Sequence, residues 1–296
     1  MTILVTGSTG TIGTQVLHFL QSHPQGAGTT VRALTRSPDT ARLPAGITVI
    51  KGDLSDVDSV RAALKGVSTL FLLAPNAADE LTQAMLALNA ARDAGVKGIV
   101  YLSVFQGEAY ADVPHFASKV TVERMTQALG LPATILRPAY FMQNDLRQND
   151  ALLGGGVYGM PVGAKGISMV DIRDIGEAAA NALLRREHTE SPLPGETYEL
   201  VGPEALTGND LAALWSKVLA RPIKYGGDDL EALEQRLKGF GPAWLAYDMV
   251  LMMRRYQGDG AVASASDIAR LTGLLGHPPR TYQAFATDTA ASWAQA

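Results

Sequence analysis

The chain has 296 residues, with 25 Lys and Arg against 29 Asp and Glu and a net charge of -4 at pH 7. Without a block of like charge, neither nucleic acid nor an anionic membrane surface is an expected partner. No residue is cysteine, so disulfides, zinc thiolates and thiol nucleophiles drop out. A reducing, cytoplasmic setting is the expectation; it fits the absence of cysteine without following from it alone.

Met1 leads directly into an apolar strand at residues 3–6, with no basic leader or cleavage site, so no signal peptide is expected. The strand empties into a glycine turn, Gly7-Ser8-Thr9-Gly10-Thr11-Ile12-Gly13, and then into a helix whose apolar Ile12, Val16, Leu17 and Leu20 follow helical spacing. Strand, glycine turn and helix in that order are the layout of a dinucleotide-binding site. Gly7 permits the tight turn, Gly10 lets the backbone approach a pyrophosphate, and Gly13 lets the helix lie close against the strand. The open N–H groups and positive dipole end of the helix then face the phosphates.

Further strands are expected at residues 30–34, 48–51, 69–73, 98–103 and 133–136, with helices at 11–21, 57–64, 79–94 and 115–129. This alternation predicts an α/β fold, a doubly wound parallel sheet of Rossmann type with helices on both faces. Past Arg137-Pro138 the pattern changes to a glycine-rich stretch, which reads as loops and a short hairpin. Residues 167–170, followed by an alanine-rich helix, read as a return to the main sheet. The predicted division is therefore a coenzyme-binding domain at 1–140 with a return segment at about 167–186, and a smaller, mainly helical and discontinuous substrate portion at 141–296. A strand at 198–201 and a helix at 206–220 with Thr207 as its N-cap belong to that portion. The apolar run at 244–253 is too short to span a bilayer and contains Asp248.

The second strand ends at Thr35-Arg36-Ser37, where an enzyme for the unphosphorylated dinucleotide usually carries an acid for the ribose 2'-hydroxyl. A guanidinium there binds a 2'-phosphate instead, so Arg36, with Arg32 as a second choice, predicts NADP(H) over NAD(H). After the third strand, Asp53 beside Leu54 is either an acceptor for the adenine amino group or an acidic N-cap for the next helix. Ala74, Pro75 and Asn76 follow the fourth strand, at the carboxyl edge where open α/β sheets bind their ligands.

Taken in order, the glycine turn, Arg36, Gly52-Asp53, Ser103, Lys119, Arg137-Pro138-Ala139 and Val170-Asp171-Ile172-Arg173-Asp174 resemble the NmrA-like group of atypical short-chain dehydrogenase/reductases. That group includes NAD(P)H-dependent quinone, azo and triphenylmethane reductases, and regulators that bind the dinucleotide without turning it over. Short-chain dehydrogenases carry catalysis on a Ser, a Tyr and a Lys, the last two spaced Y-x-x-x-K. Here the stretch is His115-Phe116-Ala117-Ser118-Lys119, so the lysine remains and a histidine stands in place of the tyrosine. The resemblance implies that Lys119 anchors the nicotinamide ribose and that Ser103 donates to the substrate or carboxamide. His115, on the same helix face as Lys119, is a candidate acid.

Without the tyrosine, acceptors that need no strong acid fit best: a quinone, or a conjugated dye cation neutralised by hydride. Tyr140, Phe141 and Asn144 after the sixth strand would line a pocket for such a flat aromatic small molecule, with Trp244, Tyr247 and Met252 closing the other side. The expected function is an NADPH-dependent reductase of quinones or similar conjugated aromatics; the alternative is a non-catalytic NADP(H)-sensing regulator. The five histidines show no metal-ligand spacing and no metal is expected. The reading leaves room for a homodimer.

Overall fold

The computed structural model describes residues 1–295. Its first half runs β1 (Thr2–Val5), α1 (Thr11–Ser22), β2 (Thr30–Thr35), β3 (Thr48–Lys51), α2 (Val57–Ala63), β4 (Thr69–Leu72), α3 (Glu80–Asp93), β5 (Gly98–Leu102), α4 (Pro114–Ala128) and β6 (Ala133–Pro138). The second half adds β7 (Val157–Tyr158), α5 (Ile172–Glu187), β8 (Glu196–Leu200), α6 (Gly208–Val218), β9 (Lys224–Tyr225), α7 (Leu230–Lys238), α8 (Ala243–Gly258), α9 (Ala265–Leu275) and α10 (Tyr282–Trp293). Seven parallel strands form one sheet in the order β3-β2-β1-β4-β5-β6-β8. The α/β, doubly wound architecture expected from the alternation is the one observed.

Both faces of the sheet are covered, because alternate side chains of each strand point to opposite sides. Ile3 and Val5 pack with Val16, Leu17 and Leu20 of α1 and Ile175 and Ala178 of α5. Leu4, Leu70 and Leu72 pack on the other face with Val60 of α2 and Ala84 and Leu88 of α3. Each fully buried Val, Leu or Ile among them contributes roughly 1.5–3 kcal/mol. No helix of the described residues is long and apolar enough to cross a membrane.

Two expectations need correction. Residues 167–170 do not rejoin the main sheet: Ile167 bridges to Leu206 and Ala261, and Val170 to Phe141, while the strand that pairs with β6 is β8. Segment 167–170 is apolar enough to pass for a strand, but its hydrogen-bonding groups are shared among three different segments. The glycine-rich stretch likewise makes no hairpin, since β7 pairs in parallel with the distant β9. Thr207 does cap α6, in a reciprocal capping box with Asp210.

The second half is organised around a buried carboxylate, Asp145, in the 3₁₀ turn Met142–Gln148. It accepts hydrogen bonds from Tyr158 at 3.0 Å, from Gln148 at 2.8 Å and from Tyr282 of α10. Burial pushes its pKa up to about 6, against those three hydrogen bonds, which favour the charged form. The ionised form is thus costlier in the folded chain than in the unfolded one. The stability tied to Asp145 is intact below about pH 4, the unfolded pKa, and is lost as pH rises through the folded value. Relative to wild type, Asp145→Asn is expected to gain up to about 3 kcal/mol between pH 4 and pH 7 in urea unfolding; a gap that does not change with pH would contradict this.

Candidate functional site

The first βα turn lies at the switch point where β2 and β4 flank β1, the crevice in which such sheets bind ligands. Gly7 has φ +60°, and a Cβ on Gly13 would stand 2.2 Å from the Gly7 carbonyl oxygen, so the helix start can approach the turn only without a side chain there. Two buried hydroxyls brace this arrangement. Thr6 Oγ1 donates to the Leu73 carbonyl at 3.0 Å and accepts the Leu73 N–H at 2.8 Å, while Ser8 Oγ donates to the Leu34 carbonyl at 2.8 Å.

Gly10 is the N-cap of α1, its own N–H is taken by Gly7, and neither a side-chain cap nor a first-turn acid is present. The N–H groups of Thr11, Ile12 and Gly13 therefore have no intrahelical partner. Gly7, Thr9, Gly10 and Thr11 are exposed, whereas Ile12 is buried and anchors the helix in the core.

Arg36 is exposed at the end of β2. Gly52, at the end of β3, donates its N–H to Thr35, which brings Asp53 alongside. Hydrogen bonds from the Ser55 backbone and hydroxyl lower the Asp53 pKa, with the nearby Arg36 charge adding to the effect. The N-cap of α2 is Asp56, not Asp53. Arg32, the second choice for the phosphate, is committed to the Lys65 carbonyl at 2.7 Å. Leu54 and Ala74 are buried, while Pro75 and Asn76 are exposed on the loop after β4.

Along α4, His115, Lys119 and Glu123 share one face, and each meets a charged side chain from a different part of the chain. Lys119 Nζ lies 2.5 Å from Glu80, at the start of α3, with both side chains largely buried. Glu123 accepts Arg137 Nε at 2.9 Å, and Arg137 also reaches Glu199 at 3.0 Å; the Glu123 hydrogen bond holds the guanidinium's pKa above its ordinary value. Ser103 is buried and its hydroxyl donates to Glu123. This departs from the expected substrate contact, because the carboxylate competes for the hydroxyl proton. His115 pairs through Nδ1 with the buried Asp248 of α8.

Aromatic side chains connect this end to the segment after β6. Phe116 stands edge-on to His115 with ring centres 4.5 Å apart, stacks on Tyr110 at 5.9 Å, and Tyr256 bridges Tyr110 to Tyr140 at 6.1 Å on each side. Tyr140, Phe141 and Asn144 are half-buried, Met252 is buried, and Trp244 and Tyr247 are exposed on α8. Glu80 and Asp248, the partners of Lys119 and His115, escaped the sequence reading. Neither lies near its partner in sequence or forms a motif with it; the only signal was that each acid sits in an otherwise apolar or helix-starting stretch. Among the described residues, Asp174, Glu177 and His277 are spaced as metal ligands would be, but the Arg280 guanidinium donates to both carboxylates and supplies the positive charge.

A profile of the NmrA-like family matches residues 1–269. The chain is 33% identical over 299 residues to an NAD(P)H azoreductase of Xenophilus azovorans, covering 99% of this chain and 100% of that protein. It is 29% identical over 283 residues to quinone oxidoreductase 2 of Escherichia coli, covering 94% and 95% of the two chains. A crystal structure of the NADPH-dependent quinone oxidoreductase of Escherichia coli in complex with NADPH superposes with a TM-score of 0.83 at 27% identity, over 97% of this chain and 99% of that one. By this breadth of match and by its glycine turn at the sheet's switch point, the chain belongs to the NmrA-like family.

Proposed function

We propose that this chain is an oxidoreductase that moves a hydride from NADPH to a quinone or a similar conjugated aromatic acceptor. The observation that carries the reading is the start of α1, where three N–H groups without intrahelical partners stand beside the close Gly7–Gly13 approach, with no acid to repel an anion. A pyrophosphate fits that cradle. Arg36 is the cation for the 2'-phosphate, and Asp53, Leu54, Ala74, Pro75 and Asn76 flank the adenosine and the bridge.

Lys119 holds the nicotinamide ribose, with Glu80 fixing its ammonium, and His115 is the acid nearest the acceptor. Ser103, bound to Glu123, stays outside the chemistry. Tyr140, Phe141 and Asn144 line the acceptor side, with Phe116 and Tyr110 continuing the aromatic wall. Bound NADPH supplies the hydride, and the chain supplies position and exclusion of water. The azoreductase and quinone oxidoreductase relatives support an acceptor of this class. In this reading residues 1–140, with α5 and strand β8 of the main sheet, carry the coenzyme, and the rest of the second half carries the acceptor.

Two measurements test it. Arg36→Ala is expected to weaken NADPH binding by about 10- to 100-fold, the loss of a charge-assisted hydrogen-bonded contact, while NADH binding stays within about twofold; equal losses for both would remove Arg36 from the phosphate. NADPH oxidation is expected to depend on added quinone across a panel of benzo- and naphthoquinones. Tight NADPH binding without acceptor-dependent turnover would replace the reductase with the sensing regulator.

A further inference from the structure

We propose that Asp248 is a positioning residue that makes His115 a working acid, so that a His–Asp dyad stands where short-chain dehydrogenases in general carry a tyrosine. The inference rests on the reductase reading above, and deepens it. Asp248 is 1% exposed, on a helix of the second half of the chain. Its Oδ1 accepts the His115 backbone N–H at 3.0 Å and its Oδ2 meets His115 Nδ1. One carboxylate thus holds both the backbone and the ring of a single residue.

The backbone contact has a plain structural use. α4 starts at Pro114 with Val113 as N-cap and no side-chain cap, so Asp248 satisfies an orphan N–H from outside the helix. That need explains Oδ1 and leaves Oδ2 free to be directed elsewhere. A carboxylate at Nδ1 keeps a proton on that nitrogen, so the proton gained and lost is the one at Nε2. Nε2 has no hydrogen-bond partner among the described residues, and is not one of the buried unpartnered side-chain atoms, which are Thr29 Oγ1, Tyr101 OH and Glu199 Oε2. It therefore meets solvent, on the helix face that also carries Lys119.

α8 is locked against this region by two further contacts. Arg255 Nε pairs with Asp112 at 2.7 Å, and the Tyr110 hydroxyl donates to the Gly260 carbonyl just beyond the helix. The helix that carries Asp248 thus meets the segment before α4 at two points besides the dyad itself, which fixes the carboxylate's position relative to His115.

With a quinone, the hydride and the proton come from different donors. The acceptor takes a hydride from the reduced nicotinamide, which is left as the pyridinium, and a proton from Nε2 of the His115 imidazolium at the oxygen that bears the developing charge. The product is the hydroquinone. His115 is left neutral with its proton on Nδ1 against Asp248, and solvent restores the proton at Nε2.

The test compares wild type, His115→Gln and Asp248→Asn. The Asn side-chain oxygen can still accept the His115 N–H, so Asp248→Asn spares the cap. In coenzyme-free protein, long-range ¹H–¹⁵N spectra at high pH are expected to show His115 protonated on Nδ1 in wild type, and to lose that tautomer in Asp248→Asn. NADPH binding by fluorescence is expected to be unchanged in both variants. Turnover with a quinone series is expected to fall by about 10²-fold for the acceptor with the most basic reduced anion, at unchanged KM, with the loss shrinking as that basicity falls. A wild-type Nε2–H tautomer, or losses equal across the series, or no loss at all, would overturn the dyad. Failure of wild type to bind NADPH would instead overturn the reductase reading, while the tautomer still reports on the dyad.

Discussion

The constraint on which the site depends is the approach of the α1 N-terminus to the Gly7 carbonyl at the sheet's switch point. Everything that makes the crevice a cradle follows from it. A side chain at position 13 would collide with the turn backbone, tilting the helix away and carrying its open N–H groups with it. Thr6 and Ser8 hold the turn to the ends of β4 and β2 through buried hydroxyls, so the turn cannot drift to relieve such a collision. In the proposed binding mode, backbone geometry rather than any one charged side chain sets where the pyrophosphate would rest.

The far end of the crevice obeys a different rule. α4 presents a histidine, a lysine and a glutamate at successive turns of one face, and each faces a charged side chain from another element: Asp248, Glu80 and Arg137. Charges this deeply buried cost several kcal/mol each unless paired, so the pairing is obligatory if the face is to fold inward. Part of that cost returns as order. Each functional group is held in one orientation by a partner that cannot move independently of the sheet or of the second half of the chain. Glu123 shows the competing use of the same device, since it draws both Ser103 and Arg137 into a structural network.

How much of this was legible beforehand depends on distance along the chain. The glycine turn, the strand and helix alternation and the Thr207 cap are local signals, and strands such as 48–51 fall where the β-branched runs place them. The family resemblance was legible too, because its motifs lie at the strand ends. Features decided by distant partners were not. Residues 167–170 and 196–200 are both short strand-like runs, and only the pairing with β6 distinguishes them. Ser103 looked available because Glu123 lies 20 residues away, and His115 looked solitary because Asp248 lies 133 residues away. Sequence spacing can put His115 and Lys119 on one face, but it cannot say what that face meets.

The central claim is that one coenzyme lies across the crevice from Arg36 to His115. Its most direct test is a crystal structure of the NADPH complex. The account requires the pyrophosphate on the N–H groups of Thr11 to Gly13, the 2'-phosphate at Arg36, and the nicotinamide ring on the side of α4 that carries Lys119 and His115 Nε2. A coenzyme bound elsewhere on the sheet, or one whose nicotinamide turns away from that face, would contradict it.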